Sequence, residues 1–213
     1  MSTVRRRCVA ALCGLALLVP LAFAAQPAAA FPKGDPVLKF NYKVVASTHI
    51  KKLNQTITPP PGHFKGGVDL KTSKLQGHIT LPPVTFTFSE AGIPLMTATA
   101  QIVEAKPVTG TLQISTFKVT ATSTFNLRII DAHASPGVPV VGPLPVPPVN
   151  LVGNSCTTEK PISVTMSGIA SLGGKSKFTG TFTIPNFKTC GALTTVLNQL
   201  IPGPGNTFTA TAG

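Results

Sequence analysis

Alternation is the feature that most restricts what this chain can become. Val84 to Phe88 reads VTFTF, Gly110 to Ile114 GTLQI, Lys118 to Phe125 KVTATSTF, Ile162 to Met166 ISVTM, Phe178 to Ile184 FTGTFTI and Thr207 to Thr211 TFTAT. Successive side chains of an extended strand point to opposite faces, so most of these segments set threonine on one face and aliphatic residues or phenylalanine on the other. That is the pattern of an antiparallel sheet with one wet and one packed side. Helical periodicity is almost absent. The chain reads as all-β, a curved antiparallel sheet forming a barrel or a sandwich.

Three segments repeat apolar-x-Gly-x-apolar-x-apolar: FKGGVDL from Phe64, VTGTLQI from Val108 and FTGTFTI from Phe178. Glycine inside a strand marks a bulge or a tight bend, which suits a sheet that curls. The stretch HFKGGVDLKTSKLQGHITLPP, His63 to Pro83, reads as a hairpin with a loop at Lys71-Thr72-Ser73-Lys74. In that register Leu70 pairs with Leu75, and Phe64, Val68, Leu70, Leu75, Ile79 and Leu81 share one face. His63 and His78 then lie about four strand positions apart, on the order of 13 Å, too far for one metal or an acid/base pair. Asp69 falls diagonal to His78 in ordinary cross-strand charge pairing. A one-sided apolar sheet must pack on something. It closes either on its own side chains or around a guest, in a cavity lined by Phe64, Val68, Leu70, Ile79, Phe86 and Phe88.

Two segments break the pattern. Residues 136–149, PGVPVVGPLPVPPV, hold six prolines and exclude a central strand. They read as a polyproline-like connection, either a stiff linker packed on the sheet or an apolar lip beside a cavity mouth. In CGALTTVLNQLI, Cys190 to Ile201, the residues Leu193, Val196, Leu197, Leu200 and Ile201 fall at helical spacing before Pro202-Gly203. One short helix capping a barrel end or a sheet edge is expected there.

The N-terminus runs MSTVRRR, CVAALCGLALLVPLAFA, AQPAAA and then FPKGD. A charged start, an apolar run and a small-residue cleavage site describe a secretory signal over residues 1–30, with the mature chain beginning near Phe31 or, failing that, Ala25. Pro20 interrupts the apolar run, which argues against a retained membrane anchor, and no other transmembrane segment is expected. Residues 31–213 form a single secreted β domain on this reading, placed outside the cell or on the outer face of the envelope. Loss of Arg5, Arg6 and Arg7 with the signal lowers the 18 basic residues to 15 against 6 acidic ones, a net charge of +9. The lysines are scattered, so weak association with anionic surfaces is expected. With one tyrosine and no tryptophan there is little for bases to stack on, and nucleic acid is not expected as a partner. Cys8 and Cys13 leave with the signal. Cys156 and Cys190 remain and are expected to form a disulfide, because the histidines at 49, 63, 78 and 133 all lie upstream of both and supply no metal-ligand spacing.

No catalytic motif stands out: there is no HExxH, no Gly-rich phosphate loop and no recognised Ser/His/Asp arrangement. No cofactor, metal or catalytic residue is expected, and the protein reads as non-enzymatic, with an unrecognised hydrolase as the remote alternative. The phrases STHIKKLNQTITPPPG, NLVGNSCTTEKPISVTMSG and IPNFKTCGALTTVLNQLIPGPGNTFTATA resemble exported β-rich proteins of actinomycetes such as Streptomyces. That resemblance implies an envelope or extracellular location. Thr48 to Phe88, in its order of strand, turn and hairpin, is similar to the YceI-like barrels, which implies a lipocalin-like fold holding an isoprenoid lipid. The expectation is an exported protein that binds an apolar or amphiphilic, lipid-like small molecule. The alternative is an interaction module presenting a threonine and lysine face to wall polymer or a protein.

Overall fold

The computed structural model describes residues 37–90, 93–135, 150–171 and 173–213. The signal segment 1–30 and the proline-rich 136–149 lie outside the described residues. Twelve strands follow in order: β1 (Val37–Ile50), β2 (Gln55–Ile57), β3 (Gly62–Asp69), β4 (Lys74–Thr80), β5 (Val84–Glu90), β6 (Ile93–Gln113), β7 (Lys118–Ala134), β8 (Thr157–Thr158), β9 (Ile162–Ile169), β10 (Ser176–Ile184), β11 (Phe187–Lys188) and β12 (Gly203–Ala212). All pair antiparallel in one sheet. The pairs β1-β3-β4-β6-β7-β9-β10-β12 run in sequence, and β12 returns to β1. The ring closes. An eight-stranded barrel of this kind has an interior just wide enough for side chains or one small ligand.

Proline decides where the ring ends. β2 and β3 lie end to end along β1, β4 and β5 along β6, and β8 and β9 along β7. The breaks are Thr58-Pro59-Pro60-Pro61, Leu81-Pro82-Pro83 and Glu159-Lys160-Pro161, and β10 stops before Pro185. Proline has no N–H for a ladder, so each wall strand is interrupted there. Beyond the breaks no ladder joins β2 to β5 among the described residues; a side chain bridges them instead, Gln55 Nε2 donating to the Thr87 carbonyl at 3.1 Å. The barrel thus has a turn end, with the β3–β4, β6–β7 and β9–β10 connections, and a proline end where the sheet splits.

A short helix covers the proline end. Gly191–Leu193 makes a 3-10 turn that leads into α1 (Thr194–Leu200), which buries Leu197 and is followed by the buried Ile201. Val196, expected on the packed face, is exposed instead. Asn198 fixes the helix by imitating a strand: its Oδ1 accepts from Phe187 N–H at 2.6 Å and its Nδ2 donates to Phe187 O at 3.0 Å. Cys156 and Cys190, 4.2 Å apart at Cα, are joined as a disulfide beside the β8–β11 pair.

The hairpin at 63–83 forms with a different register from the one expected. Val68 faces Leu75 and Phe64 faces Ile79, because Asp69 builds a longer turn. Its carboxylate accepts from Lys71 N–H (2.8 Å), Thr72 N–H (3.1 Å) and the Thr72 hydroxyl (2.6 Å), an Asx turn that consumes the side chain locally. The slip moves partners by two residues and so keeps each side chain on its face. Leu70 does leave the packed face: it sits in the turn, 43% exposed. His63 and His78 come two strand positions apart rather than four, and His78 pairs with Glu104 (Nδ1 to Oε2, 2.7 Å), not with Asp69.

Candidate ligand cavities

Inward-facing residues of the ring and the proline end form two buried clusters. One runs from Val44, Ala46 and Phe208 to Ile129, Ile184, Leu197 and Ile201; the other is Val68, Leu75, Val108, Val119 and Ala121 near the turn end. Phe64, Ile79 and Phe178 pack against both, so they stand at the partition between them. One cavity of about 70 Å³ lies within the first cluster, and another of about 70 Å³ lies at the boundary, lined by these three residues and by members of both clusters. The upper one is lined by Ile57, Pro59, Leu81, Pro82, Phe86, Ile102 and Ile129 among others, at the level of the proline breaks. The lower one is lined by Phe64, Leu75, Ile79, Val108, Met166 and Phe178 with small neighbours such as Ala121 and Ala210.

The chemistry of both is hydrocarbon. Among the described residues, Thr48 is the one polar residue lining the upper cavity, and none lines the lower. No buried side-chain nitrogen or oxygen among the described residues lacks a hydrogen-bond partner. Nothing in the walls therefore asks for a polar guest. An engineered apolar cavity of roughly 150 Å³ stays dry and takes up benzene. Each chamber here is about half that size, so a slender chain would fill both only if the partition side chains rotate.

Of the six residues expected to line a cavity, Phe64 and Ile79 line the lower one and Phe86 the upper. Val68 and Phe88 are buried in the packed core, and Leu70 is at the surface. Among the lining residues that were not expected at a cavity are those beside the breaks, Ile57, Pro59 and Pro82, with Leu81, which the sequence placed only on the hairpin's packed face. Their signal was present: runs of two or three prolines within two residues of an apolar residue, recurring between strand patterns at Ile57 to Pro61 and Leu81 to Pro83.

Outside, the threonines line up across strands. Thr109, Thr122, Thr165, Thr181 and Thr207 are successive cross-strand partners on β6, β7, β9, β10 and β12. A second row runs Thr111, Thr120, Ser167, Thr179, Thr209 and Ser47. Thr122 and Thr165 are hydrogen-bonded at 3.1 Å.

The His78–Glu104 pair fills a gap in the β4–β6 ladder. Glu104 Oε1 also accepts from the backbone N–H of Ile79 at 3.1 Å, where β4 leaves β6 and bulges interrupt the register around Lys106. The pair is accounted for by this backbone role. No group of three or more His, Cys, Asp or Glu suited to a metal occurs among the described residues, and no helix among them is long and apolar enough to cross a membrane. Comparison with known proteins finds no family model, no curated protein and no solved structure that matches this chain.

Proposed function

We propose that this is an exported, non-enzymatic barrel that binds an apolar or amphiphilic, lipid-like molecule at the cell envelope. The observation that carries the reading is the pair of hydrocarbon-lined cavities in one closed barrel, with the upper one at the proline-broken end. Ligand sites are mostly apolar concavities, and barrel mouths are a common place for them. The disulfide is compatible with an extracellular location. The use of such a barrel implied by the YceI-like likeness, an isoprenoid chain held inside, belongs to the same proposal. Native mass spectrometry of protein purified from its own secretion tests it. The expected result is an adduct that organic solvent releases; a protein that emerges empty and takes up no apolar dye would overturn it.

The hydroxyl rows favour a second reading, an interaction module that meets wall polymer through its outer wall. Valine at Thr165, Thr181 and Thr207 keeps shape and strand preference while removing hydroxyls. Loss of wall binding in that variant, with the interior empty, would select this reading.

A further inference from the structure

The turn end gathers residues that the sequence scatters. Leu112 N–H donates to Ser73 O at 2.9 Å and Ala170 N–H to Phe117 O at 2.8 Å, so the β3–β4, β6–β7 and β9–β10 turns stand side by side. Of the nine large hydrophobic residues that are exposed among the described residues, five are here: Leu38, Leu70, Ile114, Phe117 and Ile169. Ile169 is 68% exposed and lies directly between Lys118 and Lys177 on the neighbouring strands. Lys71, Lys74 and Lys175 complete a set of five exposed lysines. The carboxylate side chain described at this end, Asp69, is held by its own turn.

Phe117 adds an independent sign. Its φ is +54°, a left-handed conformation in which glycine or asparagine is the ordinary residue. A phenylalanine there costs backbone energy, yet the residue remains 37% exposed. The opposite end also carries lysines, at 51, 52, 160 and 188, but Glu159 and Asp131 lie on the same end, and its exposed large hydrophobics are Leu95 and Val196 on separate elements.

We propose that the turn end docks on an anionic lipid surface, with the apolar tips entering the headgroup boundary and the lysines meeting lipid phosphates. Apolar side chains ringed by lysine are the combination that interfacial binding uses. A soluble or wall polyanion would satisfy the lysines but offers no apolar phase for Leu70, Ile114, Phe117 and Ile169. The proposal does not depend on what the cavities hold.

Sedimentation with vesicles of equal phosphatidylglycerol and phosphatidylcholine tests it, with pure phosphatidylcholine vesicles and dextran sulfate as comparisons. Binding to the anionic vesicles is expected to fall, without vanishing, as salt rises. Phe117→Asn combined with Ile114→Ser should weaken it about tenfold or more and leave dextran sulfate binding unchanged. Asparagine suits the left-handed backbone, so an undiminished melting temperature shows that the fold is kept. Lys118→Gln and Lys177→Gln should each cost about fivefold, and Lys51→Gln with Lys52→Gln should leave vesicle binding within about twofold. No binding to anionic vesicles, or full binding by the tip variant with dextran sulfate held as tightly, would overturn the proposal and, in the latter case, assign the lysines to a polyanion.

Discussion

A methyl group added at Gly77 would lie 2.7 Å from the Lys65 carbonyl oxygen and 2.7 Å from the ring of Phe64. Gly77 faces Gly66 across the hairpin, and the space that neither fills is where the Phe64 ring lies. The ring could swing aside, but the carbonyl belongs to a paired strand and could not. Gly77→Ala is therefore expected to lower stability by about 1–3 kcal/mol, the usual range for overpacking, in a denaturant melt. Asp69 acts at the same hairpin through charge. The Thr72 hydroxyl above all holds its carboxyl below the ordinary aspartate value; desolvation opposes it, and the Thr72 and Lys71 N–H groups and the Lys71 charge add to the lowering. A depressed folded-state pKa stabilises the folded form above the unfolded value of about 3.9, and the contribution is lost as pH falls through the folded value. Thermal midpoints of the wild type should fall more steeply than those of Asp69→Asn below about pH 4, and parallel curves would show that the turn does not contribute.

At the scale of elements, β5, β9, β10, β12 and parts of β6 and β7 were legible because a period of two survives in them, as Thr179-Gly180-Thr181 or Thr207-Phe208-Thr209 shows directly, whereas β1 and the first half of β6 were not singled out by alternation. The helix was legible from Leu193, Leu197 and Ile201, but Val196 was not separable from them, because helical spacing does not say how wide a face the barrel end will cover. The hairpin register slipped by two because strand pattern is blind to a turn held by an aspartate side chain, while the faces stayed correct because the slip was even. A sheet curled into a barrel or a sandwich was legible from the strand-interior glycines, but which strands close it was not: β12 joins β1 across almost the whole chain, and nothing local encodes that pairing. The boundary between the two clusters, which forms part of the lower cavity's wall, has the same long-range origin, with Phe64, Ile79 and Phe178 arriving from β3, β4 and β10. Phe178→Ala should open one chamber into the other, at a cost of about 2–4 kcal/mol for a half-buried phenylalanine. Uptake of an apolar fluorescent dye should then rise, and unchanged uptake would place the division elsewhere.

The whole molecule combines a ring that needs no covalent help with a rim that does. Every strand of the ring has a ladder on both sides over part of its length, so none can peel away whole without breaking two ladders, although Val37 to Lys43 of β1, at the turn end, pair with β3 alone. At the proline end β5–β6 and β6–β7 keep long ladders, but the rim around the disulfide is thinly paired: β8 and β11 exchange only Thr157 with Lys188 and Thr158 with Phe187, β8 meets β7 at Arg128 and Thr157, and Asn198 ties α1 to β11. The Cys156–Cys190 bond spans 34 residues, and the chain-entropy account gives a loop of that length about 3–4 kcal/mol. Because both cysteines sit at the rim, reduction should loosen the rim first. Hydrogen exchange after mild reduction is expected to accelerate in β8, β11 and α1, whose local opening draws on few contacts, while amides of β1, β3 and β12 keep their protection. The upper cavity, which Ile201 and Ile184 help to line, should then exchange an apolar probe faster than the lower. Uniform acceleration through all eight ring strands would mean that the disulfide supports the barrel as a single cooperative unit, and that the proline breaks do not divide it.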